Sequence, residues 1–276
     1  MTEALVLGGG GLGGIAWMTG VLTGLADSGR DATTADLVIG TSAGATLAAQ
    51  LGTALTELYE RQANPAAQNP EIAAEVDLDT YAATMTEILS AGKGYTELRQ
   101  AIGAFALHAA TVSEKDRLAV VESRLPSPRW PATETRIVAV DAETGQPRVF
   151  DAASGVRLAD AVAASCAVPG VWPPVTIEGR RYVDGGVRSN ENADYAAGAD
   201  RVLILAPLGR TALMPTEKPL DAVLAELRSA GAVVAVVEPD AASVAAVGAN
   251  PLDPATRGPA VEAGRAQGKR LEIDWS

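Results

Sequence analysis

The chain has 276 residues, 47% of them hydrophobic, and a net charge of −12. That is ample apolar material for the core of an α/β domain, while the acidic balance argues against nucleic-acid binding and against standing attachment to anionic membranes. A single cysteine, Cys166, rules out an internal disulfide and fits a reducing, cytoplasmic setting.

In chain order, Ala4–Leu7 reads as a short buried strand, followed by six glycines in seven positions from Gly8 to Gly14. A helix is predicted from Gly14 to Ser28, with Gly29 as its stop. The segment Ala4–Ala26 carries no charge, but its eight glycines make a poor lipid-facing helix, and Glu3 stands where a signal peptide would be basic. Asp36–Gly40 reads as a second buried strand, and Ser42 opens a helix predicted to run to Gln62. Ala63–Pro70 is a break. From Glu71 to Leu125 the signals are helical, with Ile72, Val76, Tyr81, Met85, Ile88 and Leu89 forming an approximate apolar stripe. Ser113 with Asp116 resembles a capping box. The acids at Asp77–Asp79 read as a solvated face, and no residue cluster points to a metal or other cofactor. Two strands are predicted around Glu143–Gly145, a hairpin turning near Gly179, a strand at Val202–Ala206, a helix at Leu220–Ser229, a strand at Val233–Val237 and a last helix at Ala260–Lys269. Strands alternating with helices imply a mainly parallel sheet covered on both faces, a three-layer α/β sandwich. One domain over residues 1–276 is the simplest account, with a helical insertion at 63–126 and a C-terminal β/α extension at 211–276.

The chemistry concentrates in three stretches. Gly40–Gly44, GTSAG, fits G-x-S-x-G between a buried strand and a helix, the context of a nucleophile elbow that lifts Ser42 out of the sheet. The bland alternative is that Ser42 merely caps its helix. A serine needs a base. The one histidine, His108, lies in the apolar helical run AFALHAA and is read as an ordinary packed or half-exposed residue. The base is then a carboxylate, and YVDGGVRSN places Asp184 at the end of a strand, before Gly185 and Gly186. Taken alone, Asp-Gly is as readily a plain turn.

A glycine-rich loop after the first strand, G-x-S-x-G after the second and Asp-Gly-Gly in the later half occur in that order. Together with ASCAVPGVWPPVTIEGRRYVDGGVRSN they make the chain resemble the patatin-like phospholipase family over about residues 3–210. The resemblance implies a patatin-like sandwich that hydrolyses carboxylic esters of lipids or lipid-like molecules without a cofactor. It implies a Ser42–Asp184 dyad without histidine, an acyl-enzyme on Ser42, and an oxyanion hole formed by Gly9, Gly10 and Gly11. Gly40, Gly44, Gly185 and Gly186 would support these motifs. Composition and position, rather than any motif, lead to the expectation that the helical insertion lines or covers an apolar acyl site. Two positions depart from the family pattern. Gly13 stands where the family has Arg or Lys, and Asn192 stands where proline is usual, a change expected to matter little. The uncharged loop implies a lipid or neutral acyl ester as substrate in preference to anionic phospholipid, with at most transient membrane contact.

Two other readings remain open on sequence. The spacing of Gly8, Gly10 and Gly13 also satisfies the dinucleotide fingerprint G-x-G-x-x-G, but the acid expected at the end of the second strand is missing. A catalytically inactive binding or scaffold protein could keep the same fold.

Overall fold

Behind Glu3, the strand β1 (Glu3–Leu7) is four apolar residues buried on both faces, as a central parallel strand requires. It belongs to a computed structural model that describes residues 1–64, 71–72, 78–91, 94–210 and 214–273. Val76, the acids of Asp77–Asp79 and most of the predicted break at 63–70 lie outside the described residues or side chains.

The strands that follow are β2 (Leu37–Thr41), β3 (Glu134–Asp141), β4 (Pro147–Phe150), β5 (Val175–Ile177), β6 (Arg180–Asp184), β7 (Arg201–Leu205) and β8 (Val233–Val237). Pairing runs β5-β6-β3-β2-β1-β7-β8, with β4 added to β3. The pairs β3–β2, β2–β1, β1–β7 and β7–β8 are parallel; β4 and β6 pair antiparallel with β3, as β5 does with β6.

The register at β3 positions the site. β2 runs along one edge of β3 and ends with Thr41 opposite Val138. On the other edge, β4 spans Ile137–Val140. β6 therefore shares the β2 edge, arrives from the opposite direction, and ends with Asp184 opposite Ala139. The C-terminal ends of β2 and β6 meet head-on, so the residues just past Thr41 and Val183 are neighbours.

The helices are α1 (Gly11–Asp27), α2 (Ala43–Gln50), α3 (Leu55–Ala63), α4 (Leu78–Ser90), α5 (Tyr95–His108), α6 (Glu114–Arg124), α7 (Leu158–Ser165), α8 (Leu220–Ser229), α9 (Ala241–Val247) and α10 (Arg257–Arg270). Strand alternation sorts them into layers. Leu5, Leu7, Leu203 and Leu205 pack under α1, α2 and α10, while Ala4, Val6, Val202 and Ile204 pack against α8 on the opposite face. On β3, Ile137 and Ala139 meet α7 and the far side of α2. Val140, with Val183 of β6, is covered by Met85 of α4 and Leu98, Ile102 and Ala106 of α5. Part of the apolar surface of the insertion is therefore used to roof the sheet.

Three differences from the sequence reading have clear causes. The helix predicted from Ser42 to Gln62 is two helices, because Gly52 at φ +100° breaks it. α1 begins three residues early, inside the glycine run. α7 and α9 were not foreseen; at eight and seven residues they are too short for periodicity to reveal. Ser113 caps α6 by accepting from the Asp116 amide, and its hydroxyl donates to the Asp116 carboxylate. Among the described residues no helix is long and apolar enough to cross a membrane.

The C-terminal extension packs directly onto the core. Gly20 and Gly24 of α1 face Gly264 and Gly268 of α10, and the Trp17 indole donates to Gln267 Oε1 at 2.9 Å. A Cβ on Gly264 would sit 2.3 Å from the Trp17 carbonyl oxygen, so the two backbones touch. Gly264→Ala is expected to cost about 2–3 kcal/mol and to lower Tm by about 5–10 °C, read by thermal circular dichroism. Gly258→Ala in the same helix, where a Cβ would find ordinary contact at 3.5 Å, should leave Tm nearly unchanged.

Candidate active site

Ser42 follows β2 and precedes α2 with φ +53° and ψ −111°, a conformation that non-glycine residues adopt only when the surroundings enforce it. The flanking glycines explain the enforcement. A Cβ on Gly44 would lie 1.9 Å from the Leu7 carbonyl oxygen, and one on Gly40 would lie 2.6 Å from the Ala45 Cα. Only bare backbone lets α2 start this close to the ends of β1 and β2. Ser42 occupies the N-cap position, yet its side chain makes no capping hydrogen bond. The plain capping reading is thereby excluded. The strained turn is held by its backbone instead: the Ser42 amide donates to Ser165 Oγ at 2.9 Å, Ser165 donates to the Val138 carbonyl, and the Cys166 thiol donates to the Ser42 carbonyl.

Asp184 ends β6 and is buried. Its Oδ1 accepts from the Gly186 amide at 2.7 Å, so it is also an Asp-Gly turn residue. Its Oδ2 is buried without a formal hydrogen-bond partner. The Ser42 hydroxyl is close enough to favour the ionised carboxylate, although the contact falls short of ordinary hydrogen-bond geometry. Burial outweighs both the Ser42 and Gly186 contributions and pushes the carboxyl up to about 6. Gly185 is required because a Cβ there would meet the Val138 carbonyl oxygen at 2.3 Å; a Cβ on Gly186 would meet Asp184 Oδ1 at 3.0 Å.

Gly9 lies beside Ser42, since a Cβ on it would be 3.7 Å from the Ser42 Cβ. Its amide, however, donates to the Asn190 carbonyl at 2.8 Å. Of the three glycines expected to offer free amides, Gly9 therefore does not. Gly13 donates to the Pro251 carbonyl and Gly14 to Gly10. The amides of Gly10, Gly11 and Leu12 have no partner among the described residues, as expected at a helix N-terminus. Gly11 and Leu12 line the same recess as Ser42. On their other side the glycines admit close packing: Pro207 presses on Gly10, and Pro251 on Gly11, whose φ is +63°. Gly13 is buried in α1, where a Cβ would lie 3.0 Å from Val247 Cγ1 and 3.2 Å from Thr256 Oγ1. It is a packing position rather than an open loop position, so an arginine introduced there would displace α9.

Asn192 was expected to matter little. It is fully buried at φ +52°, a value proline cannot take. Its side-chain amide donates to Thr41 Oγ1 at 3.0 Å, to the Ser189 carbonyl at 2.8 Å and, more weakly, to the Gly185 carbonyl at 3.3 Å. Its Oδ1 accepts from Arg188 at 2.7 Å. It thus ties the residue before Ser42 to the residue after Asp184. No motif marks it; its one signal in the sequence is that it departs from the expected proline. His108 is exposed at the end of α5, with its Nδ1 against the Ala104 carbonyl of its own helix.

The recess holding Ser42 is small, about 30 Å³. It shares Leu12, Ile15, Thr46, Glu71 and Arg124 with an adjoining cavity of about 590 Å³. The side chains the insertion places at the Ser42 recess include Arg117 and Arg124 of α6 and Glu71, which are charged, alongside Ile72. Among the described residues the insertion supplies a mixed lining here rather than the expected apolar one, because Met85, Leu98 and Ile102 are packed on the sheet. Among the described residues no group of three or more His, Cys, Asp or Glu is placed to hold a metal ion.

A serine on a strand–turn–helix elbow beside a buried carboxylate defines an α/β protein of the nucleophile-elbow type. The model of the family described as patatin-like phospholipase matches residues 5–197, and the chain belongs to that family. No curated protein matches the chain in sequence. Among solved structures, VipD from Legionella pneumophila aligns at 13% identity over 97% of this chain and 66% of its own, with a TM-score of 0.44. The type III effector protein ExoU aligns at 16% identity over 98% of this chain and 54% of its own, with a TM-score of 0.38. This chain spans less than two thirds of the length of either.

Asn192→Ala is expected to lower kcat for ester hydrolysis by about 10- to 100-fold with a smaller change in KM, since it loosens the placement of both Ser42 and Asp184 without touching the substrate site. Steady-state kinetics on a soluble p-nitrophenyl ester will check this.

Proposed function

We propose that the protein is a serine acyl hydrolase that cleaves carboxylic esters of lipids or lipid-like molecules through Ser42 and Asp184. The observation that carries this reading is the Asp184 carboxyl: it is buried, its Oδ2 has no formal partner, and the Ser42 side chain is near enough to favour its ionised form. A structural aspartate would have both oxygens satisfied; an unsatisfied one beside a strained serine is placed to receive a proton.

In this mechanism Ser42 Oγ attacks the ester carbonyl carbon and its proton passes to Asp184 Oδ2. The carbonyl oxygen becomes the oxyanion, stabilised by the unpartnered amides of Gly10, Gly11 and Leu12 at the positive end of α1. The tetrahedral intermediate collapses, the leaving alcohol takes the proton from Asp184, and the acyl group remains on Ser42. Water then attacks the acyl-enzyme, gives its proton to Asp184, and the carboxylic acid leaves as Ser42 recovers its hydrogen. A pyrophosphate-binding reading of the glycine run is less well supported, since Pro207 and Pro251 already press on Gly10 and Gly11 and a serine elbow follows the second strand.

Ser42→Ala and Asp184→Asn should each reduce kcat/KM on a p-nitrophenyl acyl ester by about a thousandfold or more. Wild-type protein should react with a fluorophosphonate probe and Ser42→Ala should not. An Asp184→Asn variant that keeps most of its rate overturns the dyad.

Because the base must be ionised, log kcat/KM should rise with pH up to about 6 and then level off, following the Asp184 carboxyl. Burial of Asp184 accounts for such a limb without a histidine. His108→Ala should leave this limb in place, and its disappearance in that variant would assign the limb to histidine.

A further inference from the structure

Arg117 sits on α6, in the insertion, with only 6% of its surface exposed. Its guanidinium stacks on the Trp172 ring at 3.8 Å from the centroid. Stacking fixes the plane of the group but satisfies none of its N–H donors, which lie in that plane. Nε and Nη1 are buried and make no hydrogen bond, and Arg117 has no ion-pair partner among the described residues. A buried cation with empty donors is costly unless something else completes it.

The neighbours show what is missing. Arg117 lines the recess that also contains Ser42, Cys166 and Trp172. The other charged side chains lining that recess are Arg124 and Glu71, and these two pair with each other through Arg124 Nε at 3.1 Å and Nη2 at 2.5 Å. The pair is neutral in sum, so among the described residues the lining carries the single uncompensated charge of Arg117. Asp184 is buried and does not line the recess. Burial and the nearby Arg124 lower the Arg117 pKa, but only to about 10, which leaves it cationic at neutral pH.

We propose that Arg117, stacked on Trp172, binds a monoanionic group, a phosphodiester or a carboxylate, carried by the ester substrate that Ser42 cleaves. A planar guanidinium with free donors suits either oxyanion. The proposal rests on the hydrolase reading for its substrate but not for its binding site. It also reverses the expectation drawn from Gly13. The glycine loop offers no charge, and the cation reaches the recess from the insertion instead.

The test compares matched substrates and is read as a ratio, so a general loss of activity divides out. In one arm, kcat/KM is measured for dibutyryl phosphatidylglycerol and for dibutyrylglycerol. In the other, the p-nitrophenyl monoester of suberic acid is compared with p-nitrophenyl octanoate. In at least one arm, Arg117→Met should lower the anionic-to-neutral ratio tenfold or more, mainly through KM, and Arg117→Lys should fall between it and wild type. The arm that responds identifies the anion. Ratios that stay within threefold of wild type in both arms overturn the proposal. A parallel titration on the Ser42→Ala protein needs no turnover: dibutyl phosphate and octanoate are titrated calorimetrically, with and without Arg117→Met. At least tenfold weaker binding on removing Arg117 supports the site even if no ester is cleaved; unchanged binding of both ligands overturns it. Loss of fluorophosphonate labelling and of all ester turnover in the wild-type protein would instead count against the hydrolase reading alone.

Discussion

The head-on meeting of β2 and β6 along one edge of β3 is the constraint on which the site depends. Neither strand could end elsewhere without separating Ser42 from Asp184, because Thr41 is opposite Val138 and Asp184 is opposite Ala139. The carbonyl of Val138 serves both sides: it accepts from Ser165, which in turn holds the Ser42 amide, and it leaves no space for a side chain at position 185. Asn192 closes the same junction from the other side through Thr41 and Gly185. Strain at Ser42 and burial of Asp184 are both consequences of forcing two chain ends into one gap. At neutral pH, holding Asp184 ionised in that gap opposes folding by about 3 kcal/mol at most. Since the folded-state pKa is raised, this group favours folding most below the ordinary carboxylate range, and its contribution falls as pH rises through about 6.

Much of this was legible from residue types. Gly40, Gly44, Gly185 and Gly186 announce close backbone approach, and each has a neighbour that forbids or crowds a Cβ. The central strands were legible because Val, Leu and Ile crowd them without charge. What escaped the sequence was long-range. Asn192 looks like one more polar residue in a loop until Thr41, 151 positions away, is placed beside it. The committed state of the Gly9 amide depends on a carbonyl at Asn190. The charged lining contributed by α6 was hidden because a periodic pattern says which face of a helix is apolar, not which arginine turns inward with it.

Charge at the site has been moved rather than lost. Where the family resemblance leads one to expect Arg or Lys, Gly13 is pressed by Val247 and Thr256, so the C-terminal extension takes the space a long side chain would need. The cation then comes from Arg117, on a helix that lies outside the motifs by which the family is recognised. A protein with net charge −12 thereby keeps a recess whose described lining is positive. Burial in a small, low-dielectric space lets one arginine outweigh a far larger but screened surface charge.

The glycine contacts between α1 and α10 have a consequence for how this chain could be recombined. The family match ends at residue 197, yet the helix carrying the free amides of the site is shaped for a partner more than sixty residues beyond it. Gly20 and Gly24 are therefore fixed by the tail and not by chemistry at Ser42. A chimera that joins this core to a relative's C-terminal segment inherits a groove cut for Gly264 and Gly268. It will seat only a helix that presents small residues four apart at the same height, and it will misplace Pro251, and with it the start of α1, if it does not.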